Sequence, residues 1–88
     1  MQVYPVGLQV NAGASSGAAS DISGAKIVYV FNTNAAEQLI TVEKGTTGVA
    51  IASLLVGPDQ GILLHKATRD EIFAGSTDVK FTPCAYRG

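Results

Sequence analysis

His65 and Cys84 are the only histidine and the only cysteine in the chain. They are also the one pair that could act as base and nucleophile. Such a couple needs the thiol within hydrogen-bond reach of the ring and a third group to orient the ring. Both residues fall mid-way along stretches that read as strands. No Asn or Asp is set beside them, and no helix N-terminus is available to activate the thiol. His65 therefore reads as a sheet-face residue. One His and one Cys also fall short of the three or four ligands of a zinc site. Asp70 and Glu71 are adjacent, but neighbours on a strand point to opposite faces and do not form an acid–base pair. Asp70 suits a turn, where its carboxylate accepts a backbone N–H and Lys66 pairs across it. Asp59, in Gly57-Pro58-Asp59-Gln60-Gly61, is likewise a turn residue, and a single carboxylate is far from a calcium cage. The residues thus offer no catalytic group, no metal site and no cofactor motif, and the expectation is a protein that is not an enzyme.

The elements that would hold these residues are strands. Residues 26–33 have Ile27, Tyr29 and Phe31 on one face and Val28 and Val30 on the other, so the strand reads as central and covered on both sides. Asn32-Thr33-Asn34-Ala35 supplies turn residues. Residues 37–43 place Ile40 and Val42 inward and Thr41 and Glu43 outward. Residues 49–56 form an apolar run whose length and β-branching favour a strand, ended by the turn at 57–61. Residues 61–66, a short strand at Ile72-Phe73 and a closing strand over 78–86 complete the set. The fold class expected is all-β: a small antiparallel β-sandwich or barrel of six to seven short strands with an extended N-terminal arm. Ile27, Tyr29, Phe31, Ile40, Val42, Leu64, Ile72, Val79 and Phe81 are expected to form most of one core.

The arm spans residues 1–25, and the sandwich domain spans 26–88. Twelve of the fifteen residues from 11 to 25 are Gly, Ala or Ser, a flexible composition with little to bury. No Gly-Lys-Ser/Thr ending marks it as a phosphate loop. Ahead of it, Val3, Tyr4, Pro5, Val6, Leu8 and Val10 make an apolar, strand-like tip. The expectation is that this tip leaves its own sandwich and adds to the sheet edge of a partner. The alternative is that it folds back as an edge strand, a position that tolerates Pro5.

Composition restricts the partners. Of 88 residues, 47% are hydrophobic and only 15% charged, against about 25% charged in an average soluble domain. So little charge on so small a domain points to surface covered by a partner or by further copies of the chain. The net charge is −1, with no basic cluster, which argues against nucleic acid. No apolar run approaches the roughly 18–20 residues of a membrane-spanning helix. The first residues lack a basic start and do not read as a signal peptide. A single cysteine excludes an internal disulfide and fits synthesis in a reducing cytoplasm.

Taken in order, Lys26-Ile27-Val28-Tyr29-Val30-Phe31-Asn32-Thr33, Gln38-Leu39-Ile40-Thr41-Val42, the run from Ile62 through Lys66 and Asp70 to Ile72, and the closing Val79-Lys80-Phe81-Thr82-Pro83-Cys84-Ala85-Tyr86 resemble small virion structural proteins of tailed bacteriophages. The resemblance covers about residues 25–86. It departs from the family's pattern at His65, where an acidic residue is expected, and at Thr68, where proline is expected. It implies no active site and no cofactor. Within that group the chain looks most like a capsid decoration, or cement, protein. The partners implied are the phage major capsid protein and further copies of itself, and the location is the capsid surface after synthesis in the host cytoplasm. A small tail, neck or baseplate protein is the alternative. A carbohydrate-binding module, with Tyr4 and Tyr86 as sugar platforms, is a third reading.

Overall fold

The computed structural model describes residues 2–87. Over the described residues the chain is all-β, with eight strands in two antiparallel sheets and one 3-10 turn at Ser16–Ala18. The strands are β1 (Gln2–Pro5), β2 (Val10–Asn11), β3 (Ile27–Asn32), β4 (Gln38–Lys44), β5 (Val49–Val56), β6 (Gly61–His65), β7 (Glu71–Ala74) and β8 (Val79–Arg87). One sheet runs β1-β8-β3-β6, with β2 also on β8; the other runs β5-β4-β7. We call them sheet A and sheet B. Their inner faces enclose Val28, Val30, Val79 and Phe81 from sheet A and Ile40, Val42, Val56, Ile72 and Ala74 from sheet B. The slab measures 33 × 31 × 20 Å, the thickness of two packed sheets about 10 Å apart with their side chains.

β3 is apolar on both faces, and the side that turns inward is not the one expected. Val28 and Val30 are fully buried, whereas Tyr29 is 38% exposed and Phe31 half-buried on the outer side. The register gives the reason. Val30 lies opposite Phe81, and Val28 opposite Pro83. Beside a buried phenylalanine and a proline ring the inner layer has room for valines, and the larger rings turn outward. The core thus keeps Ile40, Val42, Ile72, Val79 and Phe81, with Leu64 packed at its margin, and has Val28 and Val30 in place of Ile27, Tyr29 and Phe31; Ile27 is buried on the outer side of the sheet.

Pro83 sits in a strand with neighbours on both sides, a place where proline normally removes a ladder bond. Here its carbonyl accepts from the N–H of Val6 at 2.9 Å, so its missing donor faces the same side, towards β1 and β2. At that point the neighbouring strand is interrupted: residues 6–9 leave the ladder between β1 and β2. Gly7 makes the interruption possible, since a Cβ there would stand 2.8 Å from the Pro83 ring.

Residues 2–25, expected as an arm, lie along their own sandwich. Gln2 to Pro5 pair with Arg87 to Cys84, and Val10 and Asn11 with Phe81 and Lys80. The Gly/Ala/Ser segment then crosses to sheet B and covers the β7 edge. Ser20 and Ile72 exchange two backbone bonds, of 3.1 and 2.8 Å, and the Ala74 N–H donates to the Gly13 carbonyl at 2.9 Å. Ala12 and Ile22 join the core. The physical cause is that the β8 and β7 edges carry polar backbone groups that this segment satisfies. At the far end Asn32, fully buried, ties the sheets together: its Nδ2 donates to the carbonyls of Val56 (2.9 Å) and Ala36 (3.0 Å), and its Oδ1 accepts from the Asn34 N–H at 2.9 Å.

Candidate interaction surface

The alternation that sends Val28, Val30, Phe81 and Leu64 inward sends a second apolar set outward. Across sheet A the register lines up Pro5, Cys84, Ile27 and His65 in one row, and Thr82, Tyr29 and Leu63 in the next. Tyr86 stands beside Val3 at one end, and Lys80 beside Phe31 at the other. Tyr29 and Phe31 stack, with ring centroids 6.3 Å apart. Tyr29 lies over Gly61, where a Cβ would meet its hydroxyl at 2.1 Å. Val3, Tyr4, Pro5, Tyr29, Leu63, Thr82 and Cys84 line a shallow groove on this face.

His65 is part of this face. Its Nε2 is hydrogen-bonded to the Tyr86 hydroxyl, and the two rings stack with centroids 5.6 Å apart. β6 and β8 flank β3, so the two rings meet across β3. Beneath them Ile27 is only 5% exposed, although it is on the outer side of the sheet. His65 and Cys84 are separated by the whole of β3, about 10 Å at the usual strand spacing, and do not form a base–nucleophile couple. The Cys84 thiol instead donates to the Thr82 carbonyl at 3.4 Å.

The other polar residues singled out by sequence serve turns and edges. Asp59 takes a left-handed conformation (φ 57°) after Pro58, and its N–H donates to the Asn32 carbonyl at 2.9 Å. The turn after β6 closes through the Asp70 N–H donating to the Ala67 carbonyl at 3.1 Å, a backbone bond in place of the expected acceptance by the Asp70 carboxylate and its pairing with Lys66. Lys66 turns back onto that turn, and its Nζ donates to the carbonyls of Ala67 (3.2 Å) and Thr68 (3.5 Å). Burial holds the Lys66 ammonium below its ordinary pKa of 10.5, opposed by Asp21, Asp70 and Glu71. Glu43 points to the outer side of sheet B as expected but is buried, and it accepts from the Ser16 hydroxyl at 2.8 and 3.1 Å. Among the described residues no three His, Cys, Asp or Glu side chains converge on a metal-sized site.

The tip residues are divided. Val3 and Pro5 contribute to the outer face of sheet A, with Tyr4 at the rim of its groove. Val6, Leu8 and Val10 line a second groove with Ser20, Ile22 and Pro83, where Leu8 is 88% exposed. Sheet B is also apolar outside, with Leu39, Ile51 and Leu55 exposed. Sequence reasoning saw that β3 is apolar on both faces, but it read both as covered by the chain's own fold. No known protein family, characterised protein or solved structure matches this chain.

Proposed function

We propose that this chain is a non-enzymatic virion structural protein: a decoration, or cement, protein that sits on the capsid of a tailed phage and braces neighbouring major capsid subunits. One observation carries the reading. The outer face of sheet A joins Val3, Pro5, Tyr29, Leu63 and Tyr86 into an apolar surface on a chain with little charge, and such surfaces mark sites of association. The 33 × 31 Å slab presents a side comparable with the roughly 800 Å² that each partner contributes to a standard interface. Laid across a seam between coat subunits, the face would exclude water from both. Copies repeated on the capsid lattice add weak contacts into firm attachment. The order of strand motifs, which resembles phage virion proteins, supports the same reading.

The test uses particles of a phage encoding this chain, purified and labelled with an antibody against it. Label over the head is expected. A Tyr29→Asp/Leu63→Glu variant that keeps its circular dichroism spectrum is expected to lose that label. Label confined to the tail would assign the chain to the tail or neck instead. Unlabelled particles, above all with glycan binding by the pure protein, would overturn the virion reading.

A further inference from the structure

The sandwich has four sheet edges; two of them are obstructed and a third is short. The β1/β2 edge carries Pro5 and the break at residues 6–9. The β7 edge is covered by Gly13 and Ser20. β6 is five residues long, begins with glycine and ends at His65. β5 is different. It is eight residues, Val-Ala-Ile-Ala-Ser-Leu-Leu-Val, with no charge, proline or glycine, and it is paired only with β4. Natural edge strands usually carry a charge, a proline or a cover that prevents pairing with another chain. β5 has one interruption, a bulge at Ile51, where the register shifts opposite Val42 and Glu43. Beyond it, Ala52–Val56 runs in unbroken register with β4.

We infer that Ala52–Val56 is the pairing edge for a second copy of this chain, joined antiparallel about a two-fold axis at Leu54. Two features select this occupant. A two-fold interface needs a self-complementary surface, and an uncharged run meets its own copy without repulsion. Leu54 itself is only partly buried at the margin of the core, and its counterpart at the axis completes that burial. The product is a six-stranded sheet, β7-β4-β5-β5-β4-β7, whose outer side joins the exposed Leu39, Ile51 and Leu55 of both copies.

This inference stands apart from the virion reading, because it concerns the purified chain in solution. The full chain is measured by sedimentation velocity over a range of concentrations, and a dimer is expected. Ser53→Lys/Leu55→Lys places charges on the outer face at the edge, and it should give a monomer with an unchanged circular dichroism spectrum. In a Cys84→Ser background, Leu54→Cys should form an intermolecular disulfide on mild oxidation. Antiparallel partners stand about 4.5–5.5 Å apart at Cα, within disulfide range. Leu63→Cys, on the outer face of sheet A, serves as the comparison. A wild-type chain that stays monomeric overturns the inference. So does a dimer that survives the lysine variant, or one that cross-links through position 63 and not 54.

Discussion

Phe81 is the largest side chain fully withdrawn from solvent among the described residues. Its replacement by alanine is expected to cost about 3–5 kcal/mol. A domain of this kind has about 5–15 kcal/mol in all, so the melting temperature should fall sharply; an unchanged melt would contradict its place in the core. Phe81, Ile40, Val42, Ile72 and Val79 were legible in the sequence from the periodicity of their strands. Tyr29 and Phe31 were not, because β3 alternates between two apolar sets, and size favoured the wrong one. What decided it was the cross-strand neighbour, which no local pattern contains. Lys66 makes a different kind of prediction. Burial lowers its folded pKa below the unfolded 10.5, so the unfolded chain holds the proton more tightly. The protonated residue therefore costs stability at neutral pH, and that cost is lifted as pH rises from the folded value to 10.5. In urea melts, the stability of the wild type relative to Lys66→Met should rise across that window. A constant difference would show that Lys66 is as well solvated folded as unfolded.

At the scale of elements, β3 to β8 were readable from alternation and turn residues, and β1 from its strand-like tip with the edge-strand alternative that Pro5 allowed; the path of the Gly/Ala/Ser segment was not. Gly, Ala and Ser carry almost no periodic signal, yet their smallness is what lets the segment fold tightly on itself beside the β7 edge. A Cβ at Gly13 would stand 2.2 Å from the Ala18 carbonyl oxygen. Ile22 occupies left-handed backbone (φ 51°) while only 4% exposed. That conformation is costly for a β-branched residue, and the burial of its side chain holds it there. Removing residues 2–24 would strip two ladders from β8, uncover β7 and take Ala12 and Ile22 from the core. The truncated chain is expected to lose its cooperative thermal transition. A truncated chain that melts like the full one would restore the picture of a detachable arm.

At the scale of the molecule, the sandwich is closed on one side by its N-terminal segment and open on the other, where β5 and β6 are joined only by the turn at 57–60. The fold class was legible because strand spacing and turns are local. The sidedness was not, because it depends on which edges the low-complexity segment reaches. The position of β8 has a further effect. It is the last strand, yet β1, β2 and β3 all pair with it. While the chain is being synthesised, sheet B can assemble early, but β1 and β2 have no strand to join until residues 79–87 have emerged from the ribosome. Until then Val28 and Val30 lack the cover of Phe81, and the closing contacts are distant in sequence, which makes folding slow. A ribosome-tethered chain of residues 1–78, held clear of the exit tunnel by a linker, should be cut readily by protease within its first 35 residues. The same chain extended to residue 87 should resist. Equal resistance of the two would mean that sheet A forms without its central strand.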